Sequence, residues 1–203
     1  MRRLPLLPHP HIERLLALSV RGSLRPHRLI GTALSLAAAA ALAATLSACS
    51  GDAPPKKAYT VPPSLCGIPV DPALVKAVLP GGDSLTTATT KPNGGTVRCN
   101  LSVDGKEALS VAQAWWGDRD SAAGVAQGYA NTDDGKLSDD LRFVHTGRAG
   151  VGQTVPSCKV SEHPEQDLYT VVETRDTGID DPDAIENLLV AYTKAVEGTA
   201  ACG

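Results

Sequence analysis

Few residues of this chain have the types and spacing that catalysis needs. Beyond position 49 the sequence contains two histidines, His145 and His163. A catalytic triad requires a base beside an activated nucleophile, yet the sequence has neither a G-x-S-x-G elbow nor an S-x-x-K motif. We therefore expect both histidines to be surface or sheet-edge residues, and we expect a protein that is not an enzyme.

Two segments match ligand-binding loops only in part. Residues 147–152 are rich in glycine, but the extended sequence QTVP follows them, where a phosphate-binding loop needs a helix. In the acidic run 176–186, Asp181 takes the sixth position, where an EF-hand calcium loop needs glycine. Helix capping explains Asp181 and Asp183 without a cation. We expect a loop or bulge between strands at 147–152, no metal ion and no other cofactor.

The cysteines predict disulfide bonds rather than a zinc site. Apart from Cys49, the chain contains Cys66, Cys99, Cys158 and Cys202, and no two of these four are closer than 33 positions. Zinc sites usually place two ligands within a few residues of each other. An even number of cysteines in an exported protein indicates disulfides, and four allow three pairings. We favour Cys66–Cys99 and Cys158–Cys202, because each bond links neighbouring parts of the chain.

Two adjacent tryptophans, Trp115 and Trp116, are the best candidates for ligand binding. Neighbouring residues of a strand point to opposite faces of the sheet, so the two rings cannot enter the same core. One is expected to pack under a helix, and the other to be exposed or covered by a helix starting near Arg119. An exposed tryptophan beside Asp118 and Arg119 could stack on a sugar or anchor a partner. Burial at a sheet edge is nevertheless the expected outcome, and an exposed, ligand-stacking ring is the alternative.

The start of the chain is typical of an exported lipoprotein. Residues 29–45 are apolar and uncharged, and the basic stretch RGSLRPHR precedes them, which is the order of a secretory signal. The run leads into LSAC, which ends at Cys49 and resembles the bacterial lipobox, in which the cysteine receives diacylglycerol. We expect residues 1–48 to be a signal peptide, and Cys49 to anchor the protein at the outer face of the cell membrane. A retained membrane helix, ordinary secretion and a translation start near Val20 are alternatives.

The remaining chain is acidic and is expected to hold one domain. Residues 49–203 carry 13 Lys and Arg against 21 Asp and Glu, and this balance argues against nucleic-acid binding, which needs cationic surface. Residues 49–63 contain four prolines and predict a lipidated N-terminus followed by a flexible tether. The 140 residues of 64–203 are enough for a single disulfide-bearing domain.

The pattern along this domain predicts an α+β fold. Asp71 and Pro72 are expected to start a short helix, and Asp181 and Pro182 to start a final helix at 183–196. The predicted strands are 85–90, 96–103, 107–116, 141–145 and 168–174, with a turn at 92–95 and a weaker helix at 119–130. We expect an antiparallel sheet of about five to six strands with two or three helices packed on it.

The segment that opens the domain also carries a family resemblance. Cys66, Gly67, Ile68 and Pro69, followed by a short helix, resemble the start of a family of small actinobacterial cell-envelope lipoproteins of uncharacterised function. In that family a second cysteine lies on a strand of the next hairpin, which corresponds to Cys99 here. The resemblance implies a cell-envelope protein with a sensor-like or ligand-binding-like α+β domain, and it implies no catalytic residues.

These observations together predict a lipid-anchored extracytoplasmic binding module. Its ligand would be a small molecule, a cell-wall fragment or an envelope protein, and its membrane contact would be the diacylglyceryl group on Cys49. The alternative is a structural or regulatory accessory lipoprotein that acts only through protein contacts. An envelope hydrolase is the third possibility, and it would need a histidine or paired carboxylates converging in a cleft.

Overall fold

A computed structural model describes residues 55–117, 121–175, 177 and 179–202. The predicted signal peptide, Cys49, Asp118 and Arg119 lie outside the described residues. In chain order the elements are β1 (Ser64–Leu65), β2 (Ile68–Pro69), α1 (Pro72–Ala77), β3 (Leu85–Asn93), β4 (Thr96–Val103), β5 (Lys106–Gly117), α2 (Ala122–Ala126), β6 (Lys136–Leu137), β7 (Phe143–His145), β8 (Ala149–Gln153), β9 (Gln166–Thr174), α3 (Pro182–Glu197) and a 3₁₀ turn at Ala200–Cys202.

The fold is α+β, as the sequence predicts. Seven strands form one antiparallel sheet in the order β3-β4-β5-β9-β8-β7-β6, and β1 and β2 form a separate two-stranded sheet. The large sheet therefore has more than the five to six strands expected. One unpredicted strand is β6, which has two residues and is too short to leave an alternating pattern.

Local sequence signals account for the elements that were predicted. The Asp71 carboxylate accepts a hydrogen bond from the Ala73 amide at 2.8 Å, and Asp181 does the same for Ala184 at 3.0 Å. Each cap is followed by a proline in the first turn of its helix, where a missing amide hydrogen costs nothing. The helix predicted at 119–130 is shorter in the structure and begins after the cap residue Ser121.

The sheet has one face that is well covered and one that is covered only in part. Helix α3 packs on β7, β8 and β9, and α1 packs against α3, so the larger apolar cluster lies on this first face. Helix α2 packs on β7 and β8 across the other face, where a smaller cluster includes Val144, Val151, Tyr169 and Val171. Among the described residues, no helix covers the second face over β3 and β4.

The loop or bulge expected at 147–152 is wrong, because Ala149–Gln153 is strand β8 inside the sheet. A methyl group at Gly152 would lie 2.6 Å from the Thr193 hydroxyl oxygen and 2.9 Å from that of Thr170. Helix α3 therefore comes close to the strand backbone, and glycine is needed for packing rather than for a turn.

Part of the segment expected to be a tether belongs to the folded domain. Tyr59 and Val61 are buried in the larger apolar cluster. The Ala58 amide donates to the Gly82 carbonyl at 2.8 Å, and the Tyr59 hydroxyl donates to the Pro80 carbonyl at 2.5 Å. Residues 58–61 therefore pack with the described fold ahead of the domain start expected at residue 64, and the prolines around them hide their apolar alternation.

Both favoured disulfides are present. Cys66–Cys99 joins the turn between β1 and β2 to strand β4, and Cys158–Cys202 joins the loop before β9 to the C-terminal 3₁₀ turn. Each bond fixes a segment without extensive secondary structure to the sheet or its helices. None of the described helices is long and apolar enough to cross a membrane.

Candidate ligand-binding cleft

The two adjacent tryptophans serve different parts of the molecule, as strand alternation predicts. Trp115 packs against the larger apolar cluster, and its ring stacks on His163 with centroids 4.7 Å apart and planes 17° apart. Trp116 points to the second face and meets Tyr129, with ring centroids 6.1 Å apart. Trp115 is thus chiefly a packing residue, and Trp116 is the exposed-face candidate.

Trp116 and Tyr129 border an open cleft of about 490 Å³. The cleft lies between the C-terminal end of β5, the residues after α2 and the turn of the β3–β4 hairpin. We call it the Trp116 cleft. Its lining is mixed, with three aromatic residues, two amide side chains and one guanidinium, and includes Asn93, Arg98, Trp115, Trp116, Tyr129 and Gln166.

Gly128 allows the indole to take its place in the cleft wall. A methyl group at this position would lie 2.9 Å from Cη2 of Trp116 and 3.3 Å from the Val125 carbonyl oxygen. Real side chains do not tolerate the shorter contact, so an alanine here would displace the ring or the chain after α2. The absence of a side chain at Gly128 thus determines where Trp116 can lie.

The Tyr129 hydroxyl lies among polar and charged groups. Burial raises the pKa of Tyr129 above its usual value, and the charge of Glu173 acts in the same direction. A hydrogen bond from Trp116 and the positive charge of Arg98 oppose this shift of the pKa. A phenol is protonated at neutral pH even at its ordinary pKa of about 10, so Tyr129 can donate a hydrogen bond as well as accept one.

Arg98 lines the cleft and has a buried side-chain donor without a hydrogen-bond partner among the described residues. Its Nε atom is buried and makes no hydrogen bond with any residue that the structure describes. Arg142 is the contrast, because its Nε and Nη2 donate to the Gln153 carbonyl at 3.1 and 2.8 Å and Nη2 also pairs with Glu197. A buried donor without a partner is unusual in a folded protein and marks a position where a ligand or water would be stabilised.

Most of this cleft was missed by reasoning from the sequence. Trp116 was among the candidates, whereas Arg98, Tyr129 and Gln166 were not, and Asp118 and Arg119 lie outside the described residues. The one sequence feature that bears on Arg98 is strand alternation, because Cys99, Leu101 and Val103 on the same strand point to the core. That pattern shows that Arg98 faces away from the core, but not that an aromatic pair lies beside it.

Neither histidine lines the Trp116 cleft. The expected surface or sheet-edge position is wrong for His145, which is 3% exposed on β7, with Nε2 3.7 Å from a Glu186 carboxylate oxygen. His163 stacks on Trp115, and its Nδ1 lies 2.6 Å from the Gln166 side-chain oxygen. Within the described ranges, no group of three or more His, Cys, Asp or Glu residues is arranged to hold a metal ion.

Comparison with known proteins adds no assignment to this geometry. No protein-family model matches the chain, and no significant match is found among curated proteins or among solved structures. The function must therefore be argued from the cleft and from the sequence.

Proposed function

We propose that this protein is a lipid-anchored extracytoplasmic binding module that holds a small polar ligand in the Trp116 cleft. The observation that carries the proposal is the pair of rings, Trp116 and Tyr129, at the edge of a cleft of about 490 Å³ with polar side chains around it. Ligand sites of a few hundred Å³ commonly combine aromatic surface with a few placed polar groups.

A sugar ring of a cell-wall fragment fits this combination best. The C–H face of a pyranose is apolar and can stack on the indole of Trp116, while its hydroxyls need donors and acceptors around the edge. Asn93, Gln166 and the Tyr129 hydroxyl offer such groups in the same cleft. The Asn93 side-chain oxygen already accepts from the Gly95 amide at 2.9 Å, and the Gln166 oxygen lies 2.6 Å from Nδ1 of His163, so these residues offer a ligand their NH2 donors.

The expected lipid anchor is consistent with such a ligand. If Cys49 carries diacylglycerol, the six residue steps from Cys49 to Pro55 can span at most about 20 Å. The domain would then stay close to the membrane surface and sample the cell wall that lies outside it. The large apolar side chains exposed on the described surface are Val97 on β4 and Leu137 and Leu141 at the β6–β7 turn, and so small an exposed apolar set gives the alternative of a purely protein-contact role less support.

The test is a titration of the processed chain with soluble cell-wall fragments. The protein is purified from host membranes in a polyoxyethylene detergent, which has no sugar head group, and binding is followed by tryptophan fluorescence and by equilibrium dialysis. We expect saturable binding that Trp116→Ala reduces at least tenfold. Leu137→Ala is the matched control and should keep the wild-type affinity, because Leu137 is an exposed apolar side chain that does not line the cleft.

Two results would contradict the proposal. One is that no fragment binds to the wild-type protein in either assay. The other is that binding survives unchanged in Trp116→Ala while the variant keeps the wild-type circular dichroism spectrum. A loss of both binding and folded structure is resolved by Trp116→Phe, which preserves the aromatic surface and should retain most of the affinity.

A further inference from the structure

We infer that the ligand of the Trp116 cleft is an acidic sugar whose carboxylate binds to the guanidinium of Arg98. The inference deepens the proposed function and rests on it. It depends on a separate observation, the buried Nε atom of Arg98 that has no hydrogen-bond partner among the described residues. The aromatic pair explains why a sugar ring would bind, and Arg98 specifies which charge that sugar carries.

The partners of the other arginines show what is missing at Arg98. Arg142 pairs with Glu197, and Arg175 lies 3.1 Å from a Glu107 carboxylate oxygen. No carboxylate of the described residues lies within ion-pair distance of Arg98. A guanidinium presents a planar fork of N–H donors that matches both oxygens of a carboxylate. The cleft therefore contains a donor fork, and the described residues supply no acceptor for its Nε donor.

The charge near Arg98 is not neutralised by the buried acid on the same face of the sheet. Glu173 is 4% exposed, and its carboxylate lies 3.5 Å from Nη2 of Arg175. That ion pair engages the Glu173 carboxylate, although its charge still acts on Tyr129 in the cleft wall. Arg98 is the one charged residue among the described residues that line the cleft, so a guanidinium is the charged group that this lining presents to a ligand.

An acidic sugar satisfies the ring and the guanidinium together. With the pyranose face on Trp116, a carboxylate on the ring or on an ether substituent could reach Arg98, which lines the same cleft. Two sources have this chemistry, namely uronic acids of polysaccharides and amino sugars that carry a lactyl ether. A neutral sugar would displace water from the cleft and still leave Nε without an acceptor, so it should bind at least tenfold more weakly.

Matched ligand pairs separate the carboxylate from the sugar ring. The processed chain in polyoxyethylene detergent is titrated with glucuronate against glucose, and with N-acetylmuramic acid against N-acetylglucosamine. We expect at least one acidic sugar to bind ten or more times more tightly than its neutral partner, and the pair that shows this preference identifies the source. In Arg98→Met the preference should fall to less than threefold. In the control Lys91→Met, which removes a positive charge from the exposed strand β3, it should remain.

The outcomes distinguish this inference from the proposed function. Equal binding of acidic and neutral sugars by the wild type overturns the role of the carboxylate but leaves a sugar-binding cleft. A preference that persists in Arg98→Met also overturns it, because the carboxylate would then bind elsewhere. Binding of none of the four sugars, while other cell-wall fragments bind, contradicts the inference alone. Binding of no fragment at all contradicts the proposed function as well.

Discussion

Replacing Arg98 by methionine should make the ligand-free protein more stable. The Nε atom of Arg98 is buried without a hydrogen-bond partner among the described residues, and such an unpaired donor costs about 1–3 kcal/mol. Methionine keeps most of the apolar stem and removes the donor. Because Arg98 is half-exposed as a whole residue, its terminal nitrogens can stay hydrated, and we expect a gain near the lower limit, about 1 kcal/mol.

The matched variant is Arg142→Met, which removes a half-buried arginine whose donors are satisfied. It loses two hydrogen bonds to the Gln153 carbonyl and leaves the Glu197 carboxylate with only the Val155 amide, at 2.9 Å. Removing one partner of a partly buried charged pair is destabilising, here by about 2 kcal/mol. The two substitutions are chemically identical and are predicted to change the free energy of unfolding in opposite directions.

Urea unfolding followed by circular dichroism measures both effects. For a domain of this size, a gain of 1 kcal/mol corresponds to a rise in Tm of about 2–4 °C, and the midpoint in urea should rise without a change in the slope. If Arg98→Met is less stable than the wild type by 1 kcal/mol or more, the guanidinium already has a partner. Arg98 would then have no unpaired Nε donor left for a ligand carboxylate.

Three further predictions concern the wall of the cleft, a disulfide and acid stability. Gly128→Ala should lower ligand affinity at least fivefold, because its methyl group would collide with the indole of Trp116 in the cleft wall. Gly124→Ala is the control and should keep the wild-type affinity, because the nearest atom to its methyl group would lie at an ordinary contact distance of 3.4 Å. Cys158→Ala with Cys202→Ala should cost up to about 4 kcal/mol of unfolding free energy, since the bond closes a loop of 44 residue steps. Hydrogen bonds from the backbone and hydroxyl of Ser84 and from a neighbouring amide lower the pKa of Asp104. The contribution of Asp104 to stability is therefore complete above the unfolded pKa of about 3.8 and is lost as the pH falls through the lower pKa of the folded state. In Asp104→Asn, the urea midpoint should fall less between pH 5 and pH 2 than it does in the wild type.

Each of these predictions has a clear contrary result. Equal affinities of the Gly128 and Gly124 variants would show that the indole does not depend on the close approach. Unfolding midpoints that are the same with and without the Cys158–Cys202 bond would show that this loop is already constrained in the unfolded chain. An Asp104→Asn profile that parallels the wild type below pH 5 would show that other carboxylates dominate acid unfolding.

Elements with local signals could be predicted from the sequence, and those that depend on tertiary packing could not. Helix α3 carries its own cap and apolar stripe, and the β3–β4–β5 meander carries turn residues and alternation, so both were predicted close to their observed bounds. Strand β8 contains two glycines, and its place in the sheet depends on the close approach of α3, which no local pattern contains. Tyr59 and Val61 were missed for a similar reason, since flanking prolines obscure their burial.

For the candidate site, strand alternation predicts which face of the sheet each residue occupies, and nothing more. Alternation separates Trp115 from Trp116, and it also places Arg98 on the face opposite Cys99. It does not show that the residues after α2 return to this face and bring Tyr129 against Trp116. That juxtaposition requires the sheet order, and Arg98 could be recognised as unpaired only once its neighbours were known.

The most direct test of a ligand site at the Trp116 cleft uses the two tryptophans as paired reporters. The chain has two indole N–H groups, so a ¹⁵N-labelled sample gives two separate side-chain signals, which Trp116→Phe assigns. On addition of cell-wall fragments or N-acetylmuramic acid, we expect a saturable shift of the Trp116 signal, and the Trp115 signal can shift with it because Trp115 also lines the cleft. No shift of either signal with any fragment would contradict a ligand site at this cleft.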